Sequence, residues 1–197
     1  MPRGFSESEK EHFRAKLLEQ GREFLTTYGV KKTSVDDLTN AVGISKGAFY
    51  LFFPSKEELF LTIFDQLESD YQAELLRLAR QFEGVPRERL AAFFQRAFSL
   101  WRESPLFRHF GQEEFAYLAR RAPPERLAAN LNSDQRFATL LLARWRDQGL
   151  NIDISVGTFT GLMRALFFVS LHADDIGDAY PATIELLIDT LAERLAP

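Results

Sequence analysis

Residues 33–56 read TSVDDLTNAVGISKGAFYLFFPSK, from Thr33 to Lys56, and their caps, turn and break predict two short helices and the start of a third. Thr33 and Ser34 each have an aspartate three positions on, Asp36 and Asp37, the spacing that ties off the free amides of a helix start. A helix over about Val35 to Ala41 follows. Gly43 stands where the turn needs a left-handed backbone, and Ser45 is placed to cap a second helix over about Ser45 to Leu51. Pro54 ends that helix, and Ser55-Lys56-Glu57-Glu58 repeats the capping pattern, which puts Lys56 in the first turn of a long helix.

This arrangement is a helix-turn-helix, and double-stranded DNA is the partner it implies. The exposed positions of the second helix carry few large polar groups. Lys46 can meet a phosphate, Gly47 lets a backbone come close, and Ala48 fits a thymine methyl. Tyr50 offers a hydroxyl to a phosphate oxygen, and Lys56 lies where free amides and the helix dipole favour an anion. The same caps and turn glycine also occur in helical proteins that never meet DNA.

Residue identity goes further than spacing. Gly43-Ile44-Ser45-Lys46-Gly47-Ala48-Phe49-Tyr50, then Phe53 and Ser55-Lys56-Glu57-Glu58-Leu59, closely resemble the signature of TetR-family transcriptional regulators. The resemblance runs from near Phe13, through the Leu17 to Leu25 helix and Tyr28-Gly29-Val30, to about Phe64, roughly the first third of the chain. It implies that Ser34, Ser45, Lys46, Tyr50 and Lys56 occupy phosphate-contact positions. Val35, Gly47, Ala48 and Leu51 match positions that face bases or pack near them. Two departures stand out: Val35 replaces the polar or basic reader of some relatives, and Leu51 and Phe52 fill places that are often polar or aromatic. Base readout is then expected to lean on van der Waals contact and DNA shape.

The remainder of the chain is helical in period, so the fold class expected is all-α, with about nine helices. Residues 1–54 would form a three-helix DNA-binding domain and residues 55–197 a larger domain for effector binding and dimerisation. Phe13, Leu17, Phe24, Leu25 and Tyr28 mark a first helix capped near Ser6 or Ser8 and ended by Gly29. A long helix from Ser55 to Phe82 ends at Gly84 and Pro86. Another carries Leu90, Phe93, Phe94, Phe98 and Trp101, and Ser104-Pro105 stops it and opens a helix that ends before Pro123-Pro124. The last three run from about Ser133 to Gln148, Asp153 to His172 and Tyr180 to Leu195.

Aromatic residues crowd the second part, and most should be core. In the family resembled, this part encloses an effector pocket, which makes Phe98, Trp101, His109, Phe110, Glu114, Tyr117, Phe137, Arg164 and Phe168 candidate lining residues for a small, largely hydrophobic molecule. Arg164 lies on a nearly all-apolar helix, where it either pairs with an acid at a dimer surface or meets an anionic group of the effector. A twofold dimer on a palindromic operator would supply the affinity that one recognition helix lacks. Gly157 and Gly161 with Ile184, Leu187, Ile188 and Leu191 form the expected interface, unless these helices only complete the subunit core.

Composition narrows the remaining classes. The formal net charge is −4, and residues 1–60 hold nine basic and nine acidic side chains. All six lysines nevertheless fall within the first 56 residues, either by drift towards arginine or as a placed basic face. There is no cysteine, hence no disulfide frame, thiolate nucleophile or cysteine metal site. His12, His109 and His172 lack ligand spacing, Glu113 and Glu114 point to different sides of a helix, and no glycine loop cradles a phosphate. No enzyme activity, metal or cofactor is expected. The polar N-terminus and the Arg164 within Ile154 to Leu171 argue against a signal peptide and a membrane span. The expected protein is a cytoplasmic repressor released from its operator by an effector, or alternatively an activator or a protein-recruiting adaptor that takes no small molecule. A ligand-binding or catalytic protein that has lost DNA binding is the third possibility.

Overall fold

The structure, a computed structural model, describes residues 5–81, 83–104, 111–150 and 152–196, and these are helical with no strand. The described residues form two compact units, one within 5–68 and 111–123, the other within 69–104 and 124–196. This division differs from the expected boundary at residue 54, because the start of the long helix and a helix near residue 115 pack with the N-terminal elements.

In the first unit, α1 spans Glu7–Thr27, capped by Ser6 in a reciprocal box with Glu9. A single turn, α2 (Gly29–Lys32), then leads to α3 (Val35–Val42) and α4 (Lys46–Phe49). The long α5 (Lys56–Leu78) contributes its residues up to Glu68, and α7 (Gln112–Ala119) completes the unit. Its core is closed to solvent: Leu17, Leu25, Val30, Leu38, Phe49, Leu59, Phe60 and Ile63 have no exposed surface. Each contributes roughly 1.5–3 kcal/mol by burial. Gly21 lets α1 and α5 approach, since a Cβ there would stand 2.7 Å from both Ile63 Cδ1 and Leu59 Cδ2. Tyr28, expected on the buried face, is 56% exposed, because α1 ends at Thr27 and the chain turns into α2.

In the second unit, α6 (Pro86–Glu103), α8 (Pro124–Asp147), α9 (Val156–Leu171) and α11 (Tyr180–Leu195) surround one apolar cluster. The short α10 (Ala173–Ile176) and a single 3-10 turn, Gly177–Ala179, link the last two long helices. Phe93, Phe94, Trp145 and Phe159 meet edge to face at its centre, with Trp145 at 4.9 Å from Phe93 and 5.8 Å from Phe159. Helix α8 begins nine residues before the expected Ser133, because Pro124 supplies the fixed φ of a first helical position rather than a stop. Phe82, expected in the long helix, lies outside the described residues.

Two expected interface residues belong to this core. Ile184 and Ile188 are 7% and 2% exposed, because the Ile184, Ile188, Ala192, Leu195 stripe of α11 lies in the apolar cluster with α6. Leu187, Gly157 and Gly161 face outward, and Leu191 is half-buried. Arg164 pairs with an acid of its own chain: it donates to Asp134 Oδ2 at 2.6 Å and to Asn130 Oδ1 at 3.3 Å, both on α8. No single described helix is long and apolar enough to cross a membrane; α9 meets that measure only together with the segment that follows, across a 67° bend.

Candidate nucleic-acid interface

Local hydrogen bonds build the helix-turn-helix from its sequence. Ser34 Oγ accepts from the Asp37 amide at 3.1 Å, and Asp37 Oδ2 accepts from the Ser34 amide at 2.9 Å and hydroxyl at 2.6 Å. Both orphan donors at the start of α3 are thereby satisfied. Gly43 ends α3 with φ 78°, the left-handed value that only glycine adopts without cost. Ser45 then caps α4 by accepting from the Ala48 amide at 3.1 Å.

The box around Asp37 has a pH signature. Hydrogen bonds from the Ser34 hydroxyl and amide hold its carboxyl below the ordinary 3.8. A depressed folded value means that the box adds stability above the ordinary pKa and loses it as pH falls through the folded one. A carbon-detected NMR titration should therefore find Asp37 below 3.8 in the native protein and nearer to 3.8 in Ser34→Ala. An ordinary value in both proteins would mean that the box is open in solution.

The residues expected to face DNA differ in exposure. Ser34, Ser45, Lys46, Gly47, Tyr50 and Leu51 are exposed or flank exposed positions, with Tyr50 at 51% and Leu51 at 70% exposure. Val35 and Ala48 are exposed only in part. Phe49 and Phe53 turn inward and anchor the segment, tilted against each other 6.1 Å apart with Arg14 over the Phe53 ring at 5.0 Å. Lys46 is tied to Asp36 Oδ2 at 2.9 Å across the two helices, and this acid holds its ammonium above the ordinary lysine range. A phosphate would have to compete with Asp36 for it.

Lys56 sits differently from Lys46. Its ammonium donates to three main-chain carbonyls, Val30 at 2.9 Å, Lys31 at 3.3 Å and Thr33 at 2.7 Å. Burial pushes it below the ordinary lysine range, with Glu57 and Glu114 opposing. Spacing alone gave no sign of this, because the acceptors lie 23 to 26 residues away.

The residues proposed from sequence for an effector pocket are divided between the two units. Glu114 and Tyr117 belong to the first unit, and Phe98, Trp101, Phe137, Arg164 and Phe168 to the second; His109 and Phe110 lie outside the described residues. Tyr117 donates to Glu57 Oε1 at 2.6 Å and borders an open cleft of about 330 Å³ with Lys31 and Glu113. Trp101 meets Tyr71 and Phe167 edge on at 5.7 and 5.1 Å. The second unit also carries an open cleft of about 820 Å³ edged by Arg80, Arg89, Leu140, Arg144 and Asp147, which the sequence did not suggest. Arg89 and Arg144 are occupied there, donating to the carbonyls of Gln148, just after α8, and Leu76, in the last turn of α5.

The model for bacterial regulatory proteins of the tetR family matches residues 17–63. The HTH-type transcriptional regulator EthR of Mycobacterium tuberculosis is 40% identical over 57 residues, 29% of this chain and 26% of that protein. AcrR of Shigella flexneri, a regulator of the same type, is 28% identical over 81 residues, 41% of this chain and 38% of that protein. The chain thus spans about a quarter of the length of the curated relatives it matches first. A TetR-family transcriptional regulator from Pectobacterium atrosepticum has the same fold, with a TM-score of 0.73 at 22% identity over 98% of both chains. Reduced NemR from Escherichia coli matches at 0.64 and 16% identity, over 94% of this chain and 98% of that one. Residues 17–63 enclose α3 and α4, so the family match and the exposed face coincide.

Proposed function

This chain belongs, by its residues 17–63, to the tetR family of bacterial regulatory proteins, and from that premise we propose that it is a DNA-binding transcriptional repressor released by a small, largely hydrophobic effector. The observation that carries the reading is the α3–α4 face. A short capped helix and the turn after it hold two aromatic anchors, Phe49 and Phe53, inward and offer Lys46, Gly47, Tyr50 and Leu51 outward. Lys46 and Tyr50 meet phosphates, Gly47 admits the backbone, and Leu51 and Ala48 touch base edges by van der Waals contact. Specificity then leans on shape as much as on hydrogen bonds.

A homodimer places two such faces on a palindromic site, one turn of about 34 Å apart. Gly157, Gly161, Leu187 and Leu191 are the residues that favour α9 and α11 as the contact. Gly161 leaves open space for a partner helix, and Leu186 and Leu187 are exposed at 68% and 37%. The effector acts in the second unit, to which α5 contributes its residues from Ser69 to Leu78. A change in the separation of two reading faces is enough to release DNA, and it needs only a differential affinity of a few kcal/mol.

The test is selection from a pool of random double-stranded DNA, followed by titration of the enriched duplex over a salt series. The expected result is a palindromic site whose affinity falls steeply with salt and falls further in Lys46→Ala. Failure to enrich any duplex would overturn the reading.

A further inference from the structure

Helix α4 is a single turn, Lys46–Phe49, and Tyr50 and Leu51 stand beyond its end. The amides of Leu51, Phe52 and Phe53 donate back to the carbonyls of Ala48 and Phe49 at 2.9 to 3.1 Å, so the turn closes on itself. So short a segment does not hold its shape by hydrogen bonds alone. Phe49 and Phe53 anchor it in the core. Phe52, between them and the reading residues, meets two rings of the N-terminal segment instead: Phe5 at 5.9 Å and Phe13 at 6.5 Å. Those two rings meet each other edge on at 5.1 Å, which closes a triangle. All three are only half-buried, apart from the closed core.

Phe5 does not serve the start of its own helix. An apolar residue just before an N-cap commonly packs on the fourth residue of the helix that follows. Behind the Ser6 cap that residue is Lys10, whose ammonium is tied to Glu7 at 2.7 Å. Phe5 packs on Phe13 and Phe52 instead, and so joins the start of α1 to the turn after α4. We propose that Phe5 is a positioning residue for DNA binding: with Phe13 it braces Phe52 and thereby fixes the turn that presents Tyr50 and Leu51. The proposal rests on the DNA-binding reading above for its consequence, but the brace itself belongs to the free protein.

On the duplex selected by the native protein, Phe5→Ser should weaken binding by about fivefold or more, since it removes two ring contacts in each subunit. Phe5→Tyr keeps the ring and should recover affinity to within about twofold of native. The slope of log affinity against log salt should stay native in both, because no cation is touched, whereas Lys46→Ala lowers it by about one per subunit. A double-mutant cycle identifies the route. In a background of Tyr50→Phe with Leu51→Ala, Phe5→Ser should cost less than about twofold, because the groups it positions are gone. In the free protein, amide exchange at residues 51–53 should accelerate in Phe5→Ser, return to native in Phe5→Tyr and stay unchanged in α9.

Native affinity in Phe5→Ser would overturn the proposal, as would an equal loss in both backgrounds or unchanged exchange at residues 51–53. A slope loss equal to that of Lys46→Ala would overturn it too, because the damage would then reach α4 itself. Should Phe5→Ser fail to fold, Phe13→Leu, which takes the ring from another corner of the triangle, replaces it under the same outcomes. Should no duplex be selected, the DNA reading fails while the exchange experiment still judges the brace.

Discussion

A protein carrying Gly47→Glu is expected to lose duplex affinity by about a hundredfold or more while its thermal stability stays level or rises slightly. The two halves of that expectation come from one position. A Cβ built on Gly47 meets nothing nearer than Ser45 Oγ at 3.9 Å, and its backbone is not left-handed. Any side chain therefore fits the free protein, and replacing glycine inside a helix contributes roughly 0.5–1 kcal/mol. On the proposed DNA-binding reading, the same open space is the approach path of the phosphate backbone. A carboxylate there adds bulk and a like charge in both subunits, and like charges brought together cost several kcal/mol. At about 1.4 kcal/mol per tenfold, even the lower end of that range across two half-sites exceeds a hundredfold. Gly47→Ala should lose much less, since a methyl adds bulk without charge. Anisotropy titration of the selected duplex with a parallel thermal melt checks both halves. Unchanged affinity in Gly47→Glu would remove α4 from the DNA face.

What the sequence disclosed about this face was what local chemistry sets. The Ser34–Asp37 box, the Gly43 turn and the Ser45 cap each act over three residues or fewer, so their spacing states their geometry. Lys56 shows where that stops. Its place in the first turn of a long helix was legible, but the three carbonyls that hold it come from a corner 23 to 26 residues earlier. Arg164 is the same case, its partner Asp134 standing 30 residues away on another helix. Periodicity has a related limit on α11. It gives an apolar stripe from Ile184 to Leu195, but only packing decides that Ile184 and Ile188 face the subunit while Leu187 faces out. Pro124 was ambiguous for a chemical reason, since proline both ends one helix and begins the next.

Aromatic count alone also could not separate core from pocket, and the two tryptophans of the chain provide the separation. Trp145→Ala is expected to destabilise the second unit by about 4 kcal/mol, within the range for truncating a buried aromatic. Trp145 is 2% exposed and meets Phe93, Phe94 and Phe159 edge to face, so its removal leaves a void walled by rings that cannot all move in. Cavity volume adds roughly 24 cal/mol per Å³ to the lost burial. Each kcal/mol lowers the midpoint of a domain this size by about 4 °C or more, so the melt should fall by roughly 15 °C. Trp101 offers the contrast. It is half-buried, with edge contacts to Tyr71 and Phe167 and open surface remaining. Its truncation should cost about 1–2 kcal/mol, since part of its surface already faces water. A residue that lines an effector site has this profile, because the binding face must stay accessible until the ligand covers it. The expected result is a wide gap between the two variants in a urea titration, with acrylamide quenching Trp101 in a Trp145→Phe background far more readily than Trp145 in Trp101→Phe. Equal losses of stability would assign Trp101 to the core and move the search for the effector away from α6.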